Sequence, residues 1–223
     1  MELDFTPAGT LSIDCIVNGP VQTNTYFVTS EGQTAVIDPA WDGERLVAEF
    51  ASGHPDARIT TIICTHGHAD HVGGVAGMRR ALPDVGFLLP EREVDFVPGA
   101  LISMREMWGL EHEDPGAPTG VLREGDVVEL GSVRLQVFEV PGHTPGGIVL
   151  FAATERGNAA FVGDTLFPGS HGRTDLEGGD ERAILRSLAK MARLLPADTL
   201  CLCGHGDTTT MARELARNPF ITA

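Results

Sequence analysis

Thr60-Thr61-Ile62-Ile63-Cys64-Thr65-His66-Gly67-His68-Ala69-Asp70-His71 decides how this chain is read. Its first half is a short apolar, β-branched run of the kind that forms a strand buried on both faces. Its second half sets three imidazoles and one carboxylate within the six residues from His66 to His71. Neutral imidazole nitrogen and carboxylate oxygen suit zinc, iron or manganese, so this density of ligands at a strand end marks a metal site. Closed structural zinc sites usually draw on paired cysteines, whereas the one thiol near this run, Cys64, lies on the strand. The donor set therefore points to a catalytic metal.

Three later segments repeat one arrangement of apolar strand, glycine and potential ligand: Val140-Pro141-Gly142-His143, Phe161-Val162-Gly163-Asp164 and Leu202-Cys203-Gly204-His205. Loops at the ends of a rigid sheet are where functional residues usually sit, and the glycines let the backbone turn closely beside the ligand.

Around these segments the chain alternates strands and helices. Leu11 to Val17, Thr25 to Thr29 and Ala35 to Asp38, separated by Asn-Gly and Glu-Gly pairs, predict an antiparallel meander. Asp42 is a helix cap before Leu46, Val47 and Phe50, Gly73-Gly74 opens a helix through about Leu82, and Gly86 to Leu89 is a strand. Glu91 to Leu110 reads as a helix, followed by a polar Pro/Gly loop from Glu111 to Pro118 in which His112 has no ligand pattern around it. Strands follow at Val127 to Leu130, Val133 to Val140, Ile148 to Ala152 and Ala159 to Gly163. Asp180 then caps a helix with a stripe of Leu185, Leu188, Met191, Ala192 and Leu195, and a strand at Asp198 to Cys203 and a helix at Thr209 to Arg217 close the pattern. Strands plus helix, twice over, predict an α/β fold: a four-layer αββα sandwich of two mixed β-sheets with outer helices. One domain over 1–223 is expected, with a helical and loop insertion at about 91–120.

Sixteen Lys and Arg against 31 Asp and Glu give a net charge of −15, which repels a phosphate backbone and an anionic membrane surface, so neither nucleic acid nor membrane is an expected partner. Met1-Glu2-Leu3-Asp4 lacks the basic start of a secretory leader, and no apolar run reaches the length of a span; a cytoplasmic location is expected. Cys15, Cys64, Cys201 and Cys203 are scattered through strand-like segments and read as reduced, mostly buried packing residues.

Taken together, the HxHxDH run and the downstream Gly-His, Gly-Asp and Gly-His resemble the metallo-β-lactamase superfamily from Asn24 to about His205. The resemblance implies the same αββα sandwich and a two-metal centre at one edge of the paired sheets. By motif, His66, His68 and His143 would hold the first metal, Asp70, His71 and His205 the second, and Asp164 would bridge them. Two divalent ions are implied, zinc first, with iron or manganese open to the same donors. Metals about 3.5–4 Å apart can share a hydroxide that attacks a carbonyl, with Asp70 orienting it.

Asn24-Thr25-Tyr26, Pro141-Gly142-His143-Thr144-Pro145-Gly146, Gly163-Asp164-Thr165-Leu166-Phe167, Gly172-Arg173-Thr174-Asp175 and the ending Asn218-Pro219-Phe220 are similar to short glyoxalase II-like hydrolases. That branch implies a small-molecule thioester substrate of the S-lactoylglutathione type. With only Thr209 to Ala223 following the last ligand loop, a counterpart of the C-terminal helical domain that helps full-length glyoxalase II bind glutathione is not expected. Arg173 either pairs a substrate carboxylate or ties down Asp175. The Gly-Arg-Thr-Asp element also occurs in persulfide dioxygenases, which use one iron on residues matching His66, His143 and Asp164; that mononuclear reading is the alternative. Lactonase or β-lactamase chemistry and a noncatalytic binding protein are further alternatives, and oligomeric state has no signature.

Overall fold

The computed structural model describes residues 3–221; Met1 and Glu2, half of the start read for a leader, and the last two residues of the expected 1–223 domain lie outside it. The predicted meander is present as β1 (Ser12–Asn18), β2 (Thr23–Ser30) and β3 (Gln33–Ile37). Parallel pairing then adds β4 (Arg58–Ile63), β5 (Gly86–Pro90) and β6 (Gly120–Leu122), so the first sheet is mixed and runs β1-β2-β3-β4-β5-β6. A second meander follows as β7 (Val127–Leu130), β8 (Val133–Glu139), β9 (Ile148–Thr154) and β10 (Gly157–Gly163). After a separate ribbon of β11 (Leu166–Phe167) and β12 (Ser170–His171), β13 (Leu200–Cys203) joins β10 in parallel and β14 (Thr209–Thr210) closes that edge.

Strand period explains why two sheets become four layers. In β2, Tyr26 and Val28 point one way and Phe27 the other; in β4, Ile63 and Ile62 divide in the same manner. Tyr26, Val28, Ile37 and Ile63 meet Val137, Leu150 and Phe161 of the second sheet in the middle layer. On the outer face of the first sheet, Phe27, Val36 and Ile62 pack on Leu46 and Phe50 of α1 (Gly43–Gly53) and Met78 of α3 (Val75–Ala81), the helix after the single turn α2 (Ala69–Val72). Across the molecule Phe138, Val149 and Phe151 pack on Leu188 and Met191 of α5 (Glu181–Leu194) and Met211 of α6 (Met211–Arg217). Each central strand is therefore apolar on both faces, as the sandwich requires. Both predicted caps are in place: Asp42 accepts from the Arg45 N–H at 3.3 Å and Asp180 from the Ala183 N–H at 2.9 Å.

Local differences from the sequence reading have physical reasons. Gly73-Gly74 does open the predicted helix, α3, capped by Gly74 and Leu82, but the ligand run before it already forms the short turn α2 from Ala69. The helix predicted over Glu91–Leu110 is a 3-10 turn at Glu91–Glu93 and then α4 (Val97–Trp108), which begins around Pro98 and ends at Gly109 with φ of 66°. The loop after it returns to the first sheet as β6, an edge strand too short to show a period. On α5 the buried side is Ala183, Ile184, Ser187, Leu188 and Met191, while Leu185 of the predicted stripe is 37% exposed. Cys64, Cys201 and Cys203 are buried and unpaired as expected, whereas Cys15 is exposed. Among the described residues, no helix is long and apolar enough to cross a membrane.

Phe161 is buried in the middle layer with its ring 5.5 Å from that of Tyr26, edge to face. Phe161→Ala is expected to lower unfolding free energy by about 3–5 kcal/mol, read as a shifted urea midpoint, because the space between two sheets closes poorly.

Candidate metal centre

One end of the sandwich collects every predicted ligand. The turn after β4 carries His66 and His68, and α2 presents Asp70 and His71; His143 follows β8, Asp164 follows β10 and His205 follows β13. Within each sheet the strands concerned end together: β3 and β4 run parallel in the first, and β10 and β13 run parallel in the second, with β8 in the same sense across the antiparallel β9. Gly204 is needed for close approach, since a Cβ there would overlap Asp164 Oδ1 and crowd the His71 ring.

The side chains form two clusters. His66, His68 and His143 place one nitrogen each in the first, and Asp70, His71 and His205 place one atom each in the second, all within 4.8 Å of one another inside a cluster. His68 Nδ1 faces His143 Nε2 at 2.9 Å, and His71 Nε2 faces His205 Nε2 at 3.3 Å. Asp164 stands between the clusters: its Oδ2 is 3.5 Å from both His143 Nε2 and His205 Nε2, and its Oδ1 is 3.5 Å from His71 Nε2. His66 Nε2 and Asp164 Oδ1 are buried with no hydrogen-bond partner. Buried lone pairs aimed at one another are the environment a cation satisfies, so the residues present fit divalent metal.

Outer contacts fix which nitrogen each ring offers. His71 Nδ1 lies 3.0 Å from Asp38 Oδ2, His143 Nδ1 donates to the Arg173 carbonyl at 2.8 Å, and His66 Nδ1 meets the Thr65 hydroxyl at 3.0 Å. The Thr65 hydroxyl donates onward to Asp38 at 2.7 Å, which assigns the proton on Nδ1 of His66 and leaves its Nε2 free. Asp38 also neighbours His66 and His71 as a third possible ligand group. Its two oxygens are taken by the Thr65 N–H at 2.6 Å, the Thr65 hydroxyl and His71, so it acts as their outer partner.

Burial and the surrounding imidazoles hold His66 far below its usual range, and burial and His143 bring His68 down to about 3. For His71 burial works downward, but Asp70, Asp164 and Asp38 outweigh it and push the ring up to about 10. Burial raises the Asp70 carboxyl, yet His71 and His205 together hold it well below the carboxylate range. The His205 ring, lowered by burial, is raised on balance by Asp70 and Asp164.

Sequence reasoning missed one residue with large structural weight. Glu93 has no exposed surface and accepts the Gly67 N–H at 2.7 Å and the Gly146 N–H at 2.5 Å. It therefore joins the loop of His66 and His68 to the loop of His143. Burial raises its carboxyl, opposed by those donors and Thr144. A Cβ on Gly67 would lie 2.8 Å from Glu93 Oε2, and one on Gly146 would lie 3.0 Å from Oε1, so both glycines admit the carboxylate. Glu93 falls in a run that reads as solvated helix, where only burial distinguishes it. Asp38 was legible in part, since it ends an apolar strand as the ligands do.

Arg173 lies at the rim, its guanidinium on both oxygens of Asp175 at 2.7 and 2.8 Å. The tie to Asp175, one of the two roles read for it, is made. His112, read in the sequence as having no ligand pattern, is half-buried, edge-on to Trp41 and against Gly73 behind α2, and it belongs to neither ligand cluster. Beside the centre opens a cavity of about 640 Å³, walled on one side by α4.

Two measurements check this arrangement. Glu93→Ala strands two buried N–H groups and is expected to cost about 2–3 kcal/mol of stability and weaken metal binding, with Glu93→Gln milder on both counts. Because the His71 ring is pushed up to about 10 and a ligand nitrogen must give up its proton, metal uptake near pH 7 is expected to release protons and weaken as pH falls, read by calorimetry in buffers of different ionisation enthalpy.

Residues 18–205 match the metallo-β-lactamase superfamily model. The hydroxyacylglutathione hydrolase of Haemophilus influenzae is 30% identical over 215 residues, covering 96% of this chain and 99% of that one. The BLEG-1 B3 metallo-β-lactamase superposes with a TM-score of 0.85 at 30% identity, covering 95% of this chain and all of that one. TTHA1623, solved in a di-iron-bound form, gives 0.82 at 36% identity, covering 93% of this chain and all of its own. With the model matched over most of its length and the ligand-bearing loops inside that match, this chain belongs to the metallo-β-lactamase superfamily.

Proposed function

We propose that the protein hydrolyses the thioester of a hydroxyacyl thiol, S-lactoylglutathione being the type substrate, with two divalent metal ions held by the seven residues above. The observation that carries the dinuclear part is the position of Asp164, whose Oδ2 is equidistant at 3.5 Å from a nitrogen of each cluster. Support for the thioester comes from the hydroxyacylglutathione hydrolase similar over nearly the whole chain.

His66, His68 and His143 would hold the first ion, Asp70, His71 and His205 the second, and Asp164 both. When bound, the pair supplies a Lewis acid for the carbonyl oxygen and lowers the pKa of water toward neutrality. Zinc fits these donors first; iron and manganese fit them as well. No Ser or Cys nucleophile is needed: Cys64 and Cys203 are buried, their thiols pushed up by burial. Asp70 is the residue that holds the attacking water. Its Oδ2 is fixed by the Thr23 hydroxyl at 3.2 Å and by His205 Nε2 at 3.1 Å, which leaves Oδ1 to accept a hydrogen bond from the water and orient it. Water adds to the thioester carbonyl carbon, the C–S bond breaks, and the products are a carboxylic acid and a thiol. The cavity against α4 receives the substrate.

Purified under exclusion of air, the protein is expected to contain two metals and to cleave S-lactoylglutathione. One iron with persulfide-dependent oxygen uptake and no hydrolysis would sink this reading in favour of the dioxygenase. Asp70→Asn is expected to lower kcat by about 10²-fold or more while losing proportionally less metal; equal losses of both would make Asp70 a ligand without a role in orienting water.

A further inference from the structure

The cavity beside the metal centre has walls of two kinds. Its floor is made by the ligands, and one side is α4, which contributes Ala100, Met104, Met107 and Trp108. Met107 is 55% and Trp108 58% exposed, an unusual state for large apolar side chains adjoining a concave site. Phe96, Phe167 and Leu176 continue this surface. Polarizable methionine and an exposed aromatic rim accommodate an apolar arm rather than a polar one.

Negative charge outweighs positive at the mouth. Glu106, Asp175 and Glu177 line it, and Arg173 is the only Lys or Arg among the lining residues. Arg173 gives both arms of its fork to Asp175, and that pairing holds the Asp175 carboxyl down to about 2. The pair is neutral, which leaves Glu106 and Glu177 uncompensated. Positive charge brought by metal would sit at the floor, on the ligands, not at the mouth where the larger half of a thioester projects. A chain with net charge −15 adds to the same field.

From this we infer that the thiol half of the substrate is largely apolar and carries no net negative charge, so that glutathione, with two carboxylates and one ammonium, is a poor carrier for this site. This inference rests on the thioester reading and sharpens it: Arg173 is not a free carboxylate clamp, and Glu106 and Glu177 are specificity-determining residues that exclude anionic thiols.

The experiment uses matched pairs. With the metal-loaded protein, S-lactoylglutathione is compared with its diethyl ester, which has the same acyl group and backbone and no carboxylates. The diester is expected to show kcat/KM at least about tenfold higher, mostly through KM, and the gap is expected to narrow as salt rises. In the Glu106→Gln/Glu177→Gln variant the gap is expected to fall below about threefold through improved handling of the free acid. A second readout needs no turnover: in a Trp41→Phe background Trp108 is the remaining tryptophan, and its fluorescence reports binding of S-hexylglutathione against the diethyl ester of the same thioether. If neither thioester is hydrolysed, the thioester reading fails, and fluorescence still judges the charge argument. Equal or tighter binding of the free acids, or a gap unmoved by the double variant, overturns the inference while leaving thioester hydrolysis intact.

Discussion

The metal centre exists because two sheets are locked together at one end, and that lock is made by polar groups in an otherwise apolar interface. Tyr26 of β2 donates its hydroxyl to the Cys203 carbonyl at 2.7 Å, and Asn24 reaches the same carbonyl at 3.0 Å through its side chain. The Asn24 N–H donates to the Gly204 carbonyl at 2.7 Å, and the Ile148 N–H to that of Thr65 at 2.9 Å. These bonds cross from one sheet to the other at the residues next to His205 and His66. A slide of one sheet by a residue would unmake them, leave buried carbonyls unpaired and pull the two ligand clusters apart. Hydrophobic contact alone tolerates such slides; directional bonds do not.

Within that lock the ligands are held by layers of support that differ in character. Asp38 and Thr65 set ring tautomers, and Glu93 fastens loop to loop. The Arg173 backbone carbonyl, a group no side-chain motif reveals, orients His143. The ligand nitrogens and carboxylates face one another at close range, and Asp38, Thr65 and Glu93, themselves buried, hold them in that arrangement.

Much of this was legible in the chain. The apolar run at Ile62–Cys64, alternating faces at Tyr26 to Val28 and the Gly-ligand repeats fixed both the layers and the seven candidate ligands, since each depends on local period and on chemistry confined to few residue types. Support residues were harder to see. Glu93 looks like any exposed glutamate until its neighbours close over it, and Asn24 and Tyr26 show as a motif whose cross-sheet purpose only the packed sheets explain. Short edge strands such as β6 and β14 escaped because two or three residues carry no period, and the phase of α5 was misjudged by one position at Leu185. Length, charge and spacing gave no view of the cavity mouth, which is assembled from α4 and the segment after Arg173.

The placement of α4 has a consequence for how such a protein can change over generations. The helix supplies much of the cavity wall and none of the ligands, and it is bounded by the Glu93 anchor on one side and by Gly109 on the other. Substitutions at Met104, Met107 or Trp108 alter what fits without touching the groups that perform the chemistry. Selection can therefore retune substrate preference in small steps, each tolerated by the fold, while the reaction itself is inherited unchanged.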